Sequence, residues 1–242
     1  ADYAANQFGG EDIDYDTVKS AGGSGGYNTE ITDGNDLAWK QLFNLCLALK
    51  SATDDATRNA LYLQMQGLNP DGSRNLAYPI LLDPNNLIDA QLATFWDGSF
   101  DAPMSTFLSN ASNNWFAIRK RDGSLGGFMF FLHDHEHGMG TGNKGYNRVG
   151  PWGDPNALGN NWGQTWTISQ YRSREIFTKF NPHYLHEFLC FSSEYRQRFS
   201  DRAHKHLTGT GALTQAAAIA RADGLAAQID PIIHAEAARW GS

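Results

Sequence analysis

The sequence predicts an α+β fold, mostly helical, with a β-hairpin near its middle. Three observations predict it. Apolar residues recur at helical spacing over 36–50, 54–66 and 84–97, and again from 181 onward. Between these lie two short aromatic-rich runs, 115–118 and 128–132, joined through Arg121-Asp122-Gly123, the pattern of a hairpin. The chain has 242 residues, 41% of them hydrophobic, enough for a sizeable core, read here as one domain over 1–242.

Residues 1–35 are rich in Gly, Asp, Asn and Tyr and read as a linker-like opening segment. Its Gly22-Gly23-Ser24-Gly25-Gly26 has the composition of a flexible connector, and lacks the Lys-Ser/Thr ending of a phosphate-binding loop. Asp36 caps a first helix to about Lys50, with Leu37, Leu42, Phe43, Leu45, Cys46 and Leu49 apolar. A second helix over 54–66 is stopped by Gly67, and Asn69-Pro70-Asp71-Gly72 is a turn. Pro84 opens a third, with Leu87, Ile88, Leu92, Ala93, Phe95 and Trp96 on its inner side, and Asp97-Gly98 breaks it. A polar loop over 109–114 leads into the hairpin. Residues 138–168 form a long Gly-, Asn- and Trp-rich loop whose Trp152, Trp162 and Trp166 favour packing on the body. The last part, 181–242, is helical. Asn181-Pro182 starts one helix. Ser192 or Ser193 starts another, with Tyr195, Phe199, Ala203 and Leu207 on one face. Thr214 caps an Ala-rich helix to about Ile229, and Pro231 opens a last one.

Composition narrows the functional classes. A net charge of −7 argues against a nucleic-acid backbone as main partner. No run is long or apolar enough to span a bilayer, and no signal-peptide pattern is read in the opening residues, which says little about location. The sequence opens Ala1-Asp2-Tyr3 without an initiator Met, as expected of a mature product or an excised fragment. Cys46 and Cys190 both sit in apolar helical patterns and read as buried free thiols rather than a disulfide.

The chemistry concentrates where an apolar run ends in His133-Asp134-His135-Glu136-His137. If extended geometry continues there, Asp134 and Glu136 share one face and His133, His135 and His137 the other. The carboxylate face suits a hard divalent cation and the histidine face a softer one. Asp101 lies just after a helix break. Asn114 opens the strand whose hairpin partner ends at Asp134. Oxygen ligands at strand ends beside a free carboxylate suit Mg²⁺-assisted phosphoryl transfer. The plainer reading has Asp101 capping a turn, Asn114 starting a strand and Asp134 pairing with an arginine such as Arg119. The histidines lack Cys partners or a helical His-Glu-x-x-His, so a Zn²⁺ or Mn²⁺ hydrolase is the weaker alternative. No Gly-x-Ser-x-Gly frames a nucleophilic serine, and both cysteines lie in apolar stretches. Arg196, Arg198, Arg202 and Lys205 read as a solvated helix face.

The order of pieces resembles the spore coat protein H (CotH) kinase family. The residues that carry the likeness are Asn85-Asn86-Leu87-Ile88-Asp89, then Phe100-Asp101, then Asn114-Trp115-Phe116-Ala117-Ile118, then the apolar strand ending in His133-Asp134-His135-Glu136. The helix around Glu194-Tyr195-Arg196-Gln197-Arg198-Phe199 and the closing Glu236-Ala237-Ala238-Arg239-Trp240-Gly241 agree. The resemblance implies the C-lobe of an atypical protein-kinase-like fold, with the hairpin carrying the active-site residues. It implies transfer of phosphate from ATP to protein serine with Mg²⁺ (or Mn²⁺ or Ca²⁺). Asp101 then matches the catalytic Asp, Asp134 the metal-binding Asp, and Asn114 and Glu136 the supporting metal ligands. It implies a Ser-containing protein substrate, a secreted or cell-surface setting and a missing N-terminal lobe upstream of Ala1. That lobe would supply the ATP-contacting cation, because none of Lys19, Lys40 or Lys50 is expected in a strand. His133 stands where the family usually has Trp. A non-catalytic, pseudokinase-like surface module is the other reading the resemblance permits.

Overall fold

The computed structural model describes residues 2–21, 28–99, 101–105, 111–139 and 173–241. The chain is α+β and helix-rich. The single domain expected for 1–242 divides into two compact units, Ala1–Phe199 and Ser200–Ser242.

The first unit is built on a four-stranded antiparallel sheet. A short helix α1 (Asp2–Phe8) leads into β1 (Tyr15–Ser20) and β2 (Thr29–Asp33); β5 (Trp115–Lys120) and β6 (Met129–Leu132) form the hairpin. The order is β2-β1-β5-β6. The opening segment is therefore not a linker, since residues 2–20 and 29–33 supply a helix and half the sheet. The connector expected at Gly22–Gly26 lies outside the described residues. Lys19 also stands in a strand, contrary to expectation: it lies opposite Phe116 on β5, and its amine sits 3.9 Å from Glu30 on β2. The plain pairing of Asp134 with Arg119 does not form either. Arg119 and Arg121 instead flank the buried Asp16 of β1, at 3.6 and 2.9 Å.

Alternation along the strands gives the sheet two faces. Trp115 and Ala117 point to the helical layer. There α2 (Leu37–Ser51) buries Trp39, Leu42, Phe43, Cys46 and Leu49 at i, i+3, i+4, i+7 spacing; of the apolar residues named from the sequence Leu37 is exposed, and Trp39 takes the inner position instead. Trp39 is fully buried, with ring centroids 5.9 Å from Trp115, 5.1 Å from Phe128 and 4.7 Å from Phe180. Phe116, Ile118 and Phe131 face the other side, where Ala4, Ala5 and Phe8 of α1 pack with Tyr15 of β1 and Ile118 to cover part of the sheet. Asp36 makes no side-chain cap; the amide of Leu37 donates to Asn35 Oδ1 instead. The next helix, α3 (Asp55–Met65), is capped by Asp54, whose carboxylate accepts from the Thr57 amide.

Helix α4 (Pro84–Asp97) is pinned at its start. Asp83 Oδ1 accepts from the amides of Asn85 and Asn86, and the Phe128 amide donates to Leu81 O at 2.9 Å. The backbones meet so closely here that a Cβ on Gly127 would lie 1.9 Å from Leu82 N. A left-handed Gly98 ends the helix, φ 67°. α4 is thus tied to the start of β6, and its far end delivers Asp97 and Asp101 to the end of β6. A two-stranded ribbon, β3 (Met104–Ser105) with β4 (Ala111–Ser112), brings the chain back to the hairpin.

The end of this unit carries α5 (Pro182–Leu189), capped by Asn181, and the first half of α6 (Ser193–Leu207). Cys46 and Cys190 are buried free thiols, as the sequence implies. In the second unit, α7 (Gln215–Trp240) is capped by Thr214. The two helices expected on either side of Pro231 are one, with the proline inside it. Proline removes a single interior N–H, and the strong helix formers around it carry the helix through. No helix among the described residues is long and apolar enough to cross a membrane. The long loop expected over 138–168, with its tryptophans, lies outside the described residues apart from Gly138 and Met139.

Candidate functional site

The sequence-predicted residues meet where α4, β5 and β6 end. Asp101 is 5% exposed. Its Oδ1 accepts from Asn113 Nδ2 at 3.0 Å and its Oδ2 from Asn114 Nδ2 at 2.8 Å. Two neutral donors thus fix the carboxylate while leaving each oxygen a further lone pair for a substrate group. Burial without such donors would be costly. Asn113 is itself held by its amide, which donates to Pro103 O at 2.9 Å. Asn113 was not among the sequence candidates; the doublet Asn113-Asn114 ahead of an apolar strand was the available signal.

Asn114 also reaches across the hairpin. Its Nδ2 donates to the backbone carbonyl of Asp134 at 3.4 Å, and its own carbonyl accepts from the His133 amide at 3.1 Å. Asn114 and Asp134 both lie in the left-handed region, each with φ 54°. Non-glycine residues take that conformation at a cost of about 1–3 kcal/mol, and only where surroundings impose it. Two such residues, one before β5 and one beyond the end of its partner β6, mark a constrained junction.

The same conformation overturns the expected alternation. β6 stops at Leu132 and the chain turns at Asp134, so Asp134 and Glu136 do not continue one strand face. The three histidines do not form one face either. His133 packs edge-on to Phe116 at 5.5 Å, His135 Nδ1 lies 2.8 Å from Asp97 Oδ2, and His137 Nε2 lies 3.4 Å from Glu136 Oε1. Glu136 is thus turned to His137 rather than to Asn114. Among the described residues, no three His, Cys, Asp or Glu side chains converge as a metal site. What the junction does offer is oxygen. The Asp134 carboxylate is exposed, and Asn114 spends only Nδ2 on its contacts, leaving Oδ1 as an acceptor. One or two protein oxygens, completed by water and phosphate, are what Mg²⁺ ordinarily takes.

Beside this junction a cavity of about 390 Å³ opens on the sheet face turned away from the helical layer. Tyr3, Phe116, Phe131 and Ile118 supply apolar walls; Thr17, Thr32, Asp33 and His133 supply polar groups. His133, the residue before Asp134, forms part of its wall. Sequence reasoning missed it, because its far side comes from β1 and β2, within the stretch read as a linker.

Comparison with protein families, with curated proteins and with solved structures finds no match for this chain.

Proposed function

We propose that this chain is the C-terminal lobe of a CotH-like atypical protein kinase, transferring phosphate from ATP to protein serine. The observation that carries the reading is Asp101: a buried carboxylate held by Asn113 and Asn114, just before a strand whose antiparallel partner stops at Leu132, two residues short of Asp134. Phosphoryl transfer asks a protein mainly to position groups and neutralise charge. Asp101 would accept the proton of the substrate hydroxyl, with Asn113 and Asn114 holding its orientation. Asp134, with Asn114 Oδ1, would hold Mg²⁺, which neutralises phosphate charge when bound. Glu136 would support that site only after leaving His137. The cavity on the sheet face would take the purine of ATP, with Phe116 and Phe131 offering ring faces or edges. The cation on the phosphates is assigned, by the family resemblance, to strands upstream of Ala1.

The test is calorimetry with ATP and Mg²⁺, on this chain and on the full-length protein. The reading predicts metal-dependent binding that Asp134→Asn weakens about tenfold or more. Binding indifferent to Mg²⁺ and to Asp134→Asn would remove it.

A further inference from the structure

The two candidate carboxylates reach the junction from different directions. Asp101 arrives from the end of α4, and Asp134 from the end of β6. Something must fix the distance between them, because positioning to within about an ångström decides transfer chemistry. Asn114 bridges them from the hairpin side, but its bond to the Asp134 carbonyl is long, at 3.4 Å.

On the other side stands Asp97, the last residue of α4, and each of its acceptors is engaged. Oδ1 accepts from the Ser99 amide at 2.8 Å, shaping the turn that leads to Asp101. Oδ2 lies 2.8 Å from Nδ1 of His135, the residue after Asp134. Its backbone carbonyl accepts from the Met139 amide at 2.6 Å. Nε2 of His135 is buried without a partner among the described residues, so the ring is oriented by Asp97. Gly138 completes the closure: a Cβ there would lie 2.9 Å from Asp97 Oδ2, so the loop can approach only without a side chain. Both carboxylate oxygens therefore serve opposite sides, one the Asp101 turn and the other the Asp134 turn.

We propose that Asp97 is a positioning residue that sets Asp101 and Asp134 relative to each other by tying the end of α4 to the turn after β6. The functional part of this rests on the phosphoryl-transfer reading; the structural part does not. Asp97 touches no reacting group and acts through His135 and Ser99.

The experiment is hydrogen exchange read over 97–101 and over 132–139, for wild type, Asp97→Ala, His135→Leu and His135→Asn. Each lost bond is expected to speed exchange about tenfold. Asp97→Ala should loosen both segments, and His135→Leu only 132–139. His135→Asn should restore protection, since its amide donor can stand where Nδ1 stood. Should Asp97→Ala fail to fold, His135→Leu against His135→Asn gives the same answer with α4 intact. In nucleotide binding, Asp97→Ala is expected to raise the half-saturating Mg²⁺ concentration about 10–100-fold, with little change in affinity for metal-free ATP. Unchanged exchange over 132–139 in Asp97→Ala, or in His135→Leu, overturns the proposal and leaves the kinase reading intact. Faster exchange in a protein whose wild type shows no metal-dependent nucleotide binding supports the tie and overturns the kinase reading.

Discussion

Asn114→Ala perturbs the junction at its most constrained residue. Two costs add. The substitution removes a donor from the Asp101 carboxylate, which is 5% exposed and cannot draw freely on solvent. A hydrogen bond to a buried charged group is worth about 1.5–3 kcal/mol. It also places a residue poorly suited to positive φ at a backbone with φ 54°, where Asn is tolerated and Ala costs about 1 kcal/mol more. The expected destabilisation is about 2.5–4 kcal/mol. For a unit of this size a kilocalorie lowers the melting temperature by about 2–4 °C, so the fall is roughly 5–15 °C. Asn114→Gly separates the two costs. It loses the same donor but accepts the left-handed backbone, and should recover about 1 kcal/mol. Urea unfolding of the three proteins measures both numbers. Asn114→Ala within about 0.5 kcal/mol of wild type, the range of an ordinary surface change, would refute the reasoning. So would Asn114→Gly being the less stable of the two.

Two further predictions concern the body that holds the site. Glu187 on α5 is fully buried, 3.4 Å from Arg174, and burial, opposed by Arg174, pushes its carboxyl up to about 7. A raised carboxyl contributes stability that is fully present below its unfolded value of 4.5 and is lost as pH rises through about 7. His186 works in the opposite sense: burial holds it down to about 3, so its share is present above 6.5 and lost as pH falls. Melting of wild type and Glu187→Gln across about pH 5 to 8 cancels the shared His186 contribution; wild type should lose more stability on the way up, and parallel curves would contradict the assignment. Gly127→Ala should cost more than about 3 kcal/mol or abolish folding, because its Cβ would meet the Leu81 and Leu82 backbone at 2.2 and 1.9 Å. Gly72→Ala, with open space around it, should lose only about 1 kcal/mol from its positive φ. Equal losses in the two would show that the close approach at Gly127 is not maintained in solution.

Most helices were legible because their signals are local. Pro84 with Asp83, Asn181 with Pro182, and Thr214 each announce a helix start within three residues, and Gly98 a stop. The hairpin was legible for the same reason. β1 and β2 were not. β1 finds its partner about a hundred residues downstream, Asp16 opposite Arg119, and a short strand flanked by glycines carries no local mark of so distant a pairing. The helix through Pro231 shows propensity summed over many residues outweighing one breaker. At the site, the sequence brought forward Asp101, Asn114 and Asp134, and the fold joins the first two directly and the third through its carbonyl. The face assignment of Glu136 and the histidines failed because it assumed extended backbone where Asp134 is left-handed. Asp97 was read only as a helix breaker, since its partners His135 and Met139 reach it only once the turn after β6 folds back.

The central claim, phosphoryl transfer centred on Asp101, is tested most directly by following labelled γ-phosphate from ATP to a serine-containing protein acceptor, in the full-length protein. Asp101→Asn keeps the size of the side chain and removes the base. The account predicts Mg²⁺-dependent transfer by wild type and a loss of about 10²–10⁴-fold in Asp101→Asn, with the variant's melting measured alongside to show that it is folded. Transfer by folded Asp101→Asn at the wild-type rate, or none by wild type under any metal condition, would contradict it.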